Sequence, residues 1–242
     1  MIAAVCADVA CAQASAAIPE TITSADGRLA WISTRHALDE SGRLNSALVD
    51  SPALRANAKL RRKHRQMQAD ATAAPEECRT FLGTPSEHFK STASLQDVAA
   101  GAEVIVSGRV VSTGEGFLHN LPGSLLRLAG STLKGETTGE IFLFYPYARI
   151  RTADGLVCAR PVGQYLPPAV GDRLIVFSMT PAFVSEGRTI LSADPPREII
   201  HQSATGRRLV PAAFTGELDA DLTLDDVVTR VAGETRRGGR SK

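Results

Sequence analysis

From Glu103 to His201 the chain is written as short β-prone stretches, each closed by glycine or proline, with no long helical pattern between them. This punctuation constrains the fold more than any other feature. Many short strands at close spacing bury their apolar faces only by packing as a sandwich or curling into a barrel. The expected strands run over 103–112, 124–133 and 139–152, then 172–180, and finally 188–192 continued by 198–201. Asp154-Gly155 marks a turn before a short strand over 156–159, and Glu186-Gly187 marks a turn before the last. Gly108 in the first strand reads as a bulge or bend. Its irregularity favours a strongly coiled, five-stranded antiparallel barrel of the OB type at about residues 94–202. The fold class expected is therefore mainly β, with a helical or disordered N-terminal extension and a short C-terminal helix.

The order of segments carries a resemblance. AAGAEVIVSGRVVS is followed by a strand closing on LKGE, then EIFLFY, then Cys158, then VGDRLIVF. Over about residues 78–202 this resembles the netrin/TIMP-like OB-fold group of secreted proteins, which implies an OB barrel tied by disulfides to a preceding element. The chain departs from that group in having few cysteines and no cysteine at the expected mature terminus. The fold therefore carries over from the resemblance, and zinc-directed protease inhibition does not.

The flanks read differently. Residues 1–17 are small and apolar and end in A-x-A-like sequence, the pattern of a signal peptide, although Asp8 interrupts it and no basic residue precedes it. Export to the periplasm or the medium is the expectation. Cys6 and Cys11 would leave with that segment, so Cys78 and Cys158 are expected to pair in an oxidising compartment. The long loop they close would contribute about 4–5 kcal/mol in the chain-entropy description. Within the extension, 18–77, Asp26-Gly27 predicts a ribbon over 21–32 that needs tertiary support. Ser51-Pro52 predicts the start of a basic helix reaching about residue 73. Ser94 and Asp97 form a capping-box start for a short helix that Gly101 stops. In the C-terminal region, 203–242, Thr223 and Asp226 cap a helix with Leu224, Val227, Val228 and Val231 on its apolar face. Gly233 is expected to end it, leaving a basic tail without structure.

The 27 basic and 26 acidic residues nearly cancel, so no global charge draws the chain to nucleic acid or an anionic surface. No apolar run is long enough for a spanning helix. There is no GxSxG, HExxH, Walker A or GxGxxG sequence, and the five histidines stand singly. No enzyme, cofactor or metal site is expected. The carboxylates at Asp219, Asp221, Asp225 and Asp226 lack the glycine and distal glutamate of a calcium loop and suit a helix N-terminus instead. Two places could bind a ligand. Strict alternation over 142–151 puts Tyr145, Tyr147, Arg149 and Arg151 on one face, the residue types of a single-strand platform, with Pro146 disturbing the pattern. His119 lies in a glycine- and proline-rich stretch read as a loop between strands. The leading function is a secreted module that binds another protein. The alternatives are an anionic ligand or nucleic acid at the Tyr145–Arg151 strand, and inhibition of a secreted protease.

Overall fold

The computed structural model describes residues 17–24, 27, 29–45, 94–119, 121–153, 155–159, 167–180, 182–193, 198–206, 208–209 and 223–238. Near the N-terminus, β1 (Thr21–Thr23) and β2 (Leu29–Ser33) form the expected ribbon. The Gly27 N–H donates to the Ser24 carbonyl at 2.8 Å, with Gly27 in the left-handed region at φ 77°. The ribbon's support comes from β3 (Val104–Leu118): Trp31, Ile32 and Ser33 pair antiparallel with Leu118, Phe117 and Gly116. A single helical turn, α1 (Thr34–Ala37), follows.

The short helix before the barrel region is α2 (Leu95–Gly101). The Ser94 hydroxyl accepts from the Asp97 N–H at 3.0 Å while the Asp97 carboxylate reaches back to Ser94, a reciprocal capping box. The strands after β3 are β4 (Leu121–Lys134), β5 (Glu140–Tyr145), β6 (Ala148–Thr152), β7 (Gly155–Ala159), β8 (Arg173–Ser178), β9 (Phe183–Ser185), β10 (Arg188–Ser192), β11 (Ile199–Gln202) and β12 (Arg208–Leu209). The C-terminal helix is α3 (Leu224–Gly238).

The main sheet has ten strands in the order β12-β11-β8-β3-β4-β5-β10-β9, with β2 on the distal half of β3 and β1 beyond it. It is mixed, because β10 runs parallel to β5 in the register Arg188↔Glu140 to Ser192↔Phe144. The expected closed, all-antiparallel five-stranded barrel does not form. Closure needs β8 to pair with β10, and a strand has only two edges. Those of β8 are taken by β3 and β11, and those of β10 by β5 and β9. A side chain spans the two strands, the Ser178 hydroxyl donating to the Ser192 carbonyl at 3.0 Å.

Alternation sorts the core into two faces. Val104, Val106, Leu126, Leu128, Ile141, Leu143, Tyr145, Leu174, Val176 and Leu191 share the inner cluster. Their sequence neighbours Ile105, Ile175 and Phe177 face the other way and meet Leu95, Val98 and Ala99 of α2 and Leu224, Val227 and Val231 of α3. Farther along that outer face, Leu125, Phe142, Phe144 and Ile190 are covered by Ile22 and Trp31 of the ribbon. Strands β5 and β8 are thus buried on both faces, which is why EIFLFY and RLIVFS read as near-continuous apolar runs.

Three expectations change in detail. The stretch around His119 is not a loop; β3 and β4 continue through it as one long hairpin with only positions 119 and 120 between them. Its glycines serve close packing. A Cβ on Gly116 would lie 2.2 Å from the Ile32 carbonyl oxygen and 2.8 Å from the Trp31 ring, and one on Gly123 would lie 2.4 Å from the Phe144 ring. The bulge in β3 lies between Val110 and Ser112 rather than at Gly108, which sits opposite Gly130. Lastly, α3 passes through Gly233 and runs to Gly238. The cost of about 1 kcal/mol for one glycine does not end a helix already docked by its first two turns. The basic helix expected from Ser51 and the signal-like segment before residue 17 lie outside the described residues.

Candidate functional site

The β3–β4 hairpin tip, the β5–β6 corner and a buried carboxylate hold the polar geometry of interest. At the tip, Leu118 and Leu121 close the ladder. His119 adopts φ 45°, a left-handed conformation that histidine enters more readily than bulky or β-branched residues. Its N–H donates to the Ala30 carbonyl at 2.8 Å, anchoring the tip to the ribbon. Its ring stands edge-on to Phe183 of β9, centroids 5.5 Å apart at 87°. Two apolar side chains belong to these same elements and reach solvent: Leu121, 43% exposed, and Val184, 48% exposed. The tip and the last strand of the sheet therefore meet at the His119–Phe183 contact, and each carries one exposed apolar side chain.

The stretch expected to be one strand over 139–152 is two strands in two sheets. Pro146 follows the end of β5, the Tyr147 N–H turns back to the Tyr145 carbonyl at 2.7 Å, and the Ser124 hydroxyl donates to the Tyr147 carbonyl at 2.6 Å. Beyond this corner β6 pairs only with β7. Tyr145 is buried in the inner cluster and Tyr147 packs against it half-buried. Arg149 and Arg151 are exposed on one face of β6, while Ala148 and Ile150 on the other face join Ile32, Ala37 and Phe117. The four proposed platform residues are thus divided between the interior and the surface. The Glu115 carboxylate accepts the Arg149 N–H at 3.1 Å, placing a negative charge beside that arginine.

Sequence reasoning missed the third feature. Asp172, only 5% exposed, ends the turn before β8. One carboxylate oxygen accepts the Ala169 N–H at 2.8 Å and meets His201 Nε2 at 2.7 Å; the other accepts the Ala204 N–H at 2.8 Å. Burial acts to raise the carboxyl's pKa. The two backbone donors and the imidazole outweigh it and hold the group below the ordinary aspartate value. The arrangement clamps the turn before β8 to the turn after β11. Nothing in sequence couples Asp172 to His201, which lie on opposite sides of the β8–β11 ladder.

Cys158 lies on β7 opposite Arg149, while Cys78, and with it the expected disulfide, lies outside the described residues. Asp225 of α3 accepts from both terminal guanidinium nitrogens of Arg173 of β8, and Asp226 accepts from Thr223 at 2.6 Å, so both carboxylates serve to dock and cap the helix. Among the described residues no group of three or more potential ligands gathers as a metal site, and no helix is long and apolar enough to cross a membrane. The chain matches no family model, no curated protein and no solved structure.

Proposed function

We propose that the chain is an exported, non-enzymatic binding module that meets a partner protein at the rim formed by the β3–β4 tip and β9. One observation carries this reading: the two elements joined by the edge-on His119–Phe183 pair each expose an apolar side chain, Leu121 on β4 and Val184 on β9. Apolar side chains held on rigid strands beside an aromatic contact suit protein recognition better than a scattered surface leucine would. The finer fold reading is OB-type kinship with the netrin/TIMP-like group. It is supported by the β3-β4-β5 meander flanked by β8 and β10, five strands lining one apolar interior in the manner of a partly open Greek-key barrel.

The test is site-specific photo-crosslinking in the extracytoplasmic fraction of the native host. A photoreactive residue at Leu121 or Val184 is expected to give one discrete protein adduct, and the same residue at the exposed Arg109 is expected to give none. Identical adduct patterns from all three positions would sink the reading. A second reading, binding of nucleic acid or another anion, is favoured only by the exposure of Arg149 and Arg151 on one face of β6. With Tyr145 buried it rests on charge alone, so it requires steeply salt-dependent binding of oligonucleotide that the double alanine variant loses.

A further inference from the structure

Three arginines of the main sheet are compensated by the fold. Arg127 meets Glu140 at 2.9 Å, Arg188 lies between Glu140 and Glu186, and Arg173 engages Asp225. The two-stranded sheet differs. Arg149 and Arg151 stand exposed on one face of β6, and among the described residues neither guanidinium meets a carboxylate. The opposite face is in use, with Ala148 and Ile150 packed among Ile32, Ala37 and Phe117. The strand is thus fixed by its apolar side and offers its charged side to solvent. Its edge is not on offer. The Arg149 N–H donates to the Glu115 carboxylate at 3.1 Å, and just past the end of β6 the Ala153 N–H donates to the Gly42 carbonyl at 2.7 Å. With the edge held by the chain itself, a partner has to lie across the face instead of pairing as another strand.

We propose that this face takes an extended acidic segment of a partner protein, with carboxylates on alternate residues. Charge and period both select that ligand. Residues i and i+2 of a strand leave the same face about 7 Å apart, and carboxylates two residues apart in an extended peptide share one face at the same spacing. A peptide laid along β6 therefore brings one carboxylate to each guanidinium, whose planar fork donates two N–H bonds to it. Nucleic acid fits less well. Tyr145 is buried and Tyr147 packs half-buried on the inner cluster, so neither ring is placed to stack a base beside the arginines. With a net charge of +1 the molecule supplies no general attraction for an acidic peptide, so the selectivity resides in these two residues. This ligand class narrows the charge reading of β6, on which it rests, and is independent of the rim.

Two synthetic peptides of identical composition test it on the full-length protein. Both are threonine-rich and carry a pair of glutamates. In one the glutamates are separated by a single residue; in its isomer they are adjacent and so leave an extended chain on opposite faces. Each is titrated at low ionic strength while NMR follows the arginine side-chain N–H signals. The spaced peptide is expected to move the Arg149 and Arg151 signals and to bind several-fold tighter than the isomer. The double variant Arg149→Ala with Arg151→Ala is expected to bind it about fivefold more weakly, the size two exposed ion pairs supply. Arg109→Ala, which removes another exposed arginine, is expected to leave binding unchanged. Equal affinity for the two peptides, or affinity that the double variant retains, would overturn the proposal. A single-stranded oligonucleotide that binds this face when neither peptide does would overturn it and leave the charge reading standing. Binding of none of the three would remove both. The comparison of peptides is made on the parent chain, so a variant that fails to fold leaves it decisive.

Discussion

At the residue scale the decisive group is Asp172, a buried carboxylate with three donors around it. Asp172→Asn replaces one accepting oxygen by an NH2 group that faces donors, so at least one buried N–H loses its partner. A loss of about 1–3 kcal/mol at neutral pH is expected, read from urea unfolding. The pH dependence has a definite sign. A carboxyl whose pKa is lowered in the folded state stabilises the fold above its unfolded value of about 3.9. That contribution is lost as pH falls through the lower, folded value. Between about pH 5 and pH 2 the parent should therefore lose more stability than Asp172→Asn does. Equal losses in the two proteins would show that the clamp does not depend on the ionised carboxylate. None of this was legible in sequence, where Asp172 reads as the first residue of a strand and His201 as a solitary histidine.

At the element scale, the best-read features are those whose determinants are local. The capping boxes at Ser94 and Thr223 each lie within four residues, and both helices begin where those residues put them. Thr223→Ala should cost about 1 kcal/mol. Leu224→Ala, which leaves a cavity against Ile105 and Phe177, should cost about 2–5 kcal/mol. Thermal unfolding of both variants checks the ranking, and a larger cost for the cap would mean that α3 is held by its end rather than its face. Glycine was the least legible residue. Gly114, Gly116 and Gly123 read as loop signals, yet they lie inside strands because Ile18, Trp31 and Phe144 occupy the space a side chain would need. The tyrosine–arginine platform failed for a similar reason: alternation was carried through Pro146, where the chain leaves one sheet for another.

At the scale of the whole molecule, export remains a chemical question with a direct measurement. Intact mass of the protein from its native host, with and without reductant, should show loss of the residues before about Ala17. It should also show Cys78 and Cys158 shielded from alkylation until reduced. A full-length mass with free thiols would remove the exported-module reading. What the sequence determined by itself is the class and its punctuation. Period-2 and continuous apolar runs, turn dipeptides and helix caps are encoded within a few residues of one another, and they specify a mainly β chain with a short helix on each side of the strands. Tertiary structure decided which edges meet. Each strand of this sheet has two edges and several sterically acceptable partners, and the choice depends on contacts far apart in sequence. Thus β11 and β9 occupy the edges that a closed barrel would have joined. The β1–β2 ribbon completes β3 because Gly116 leaves room for Trp31. A pattern of apolar residues states that a strand will be buried; only the packed whole determines against what.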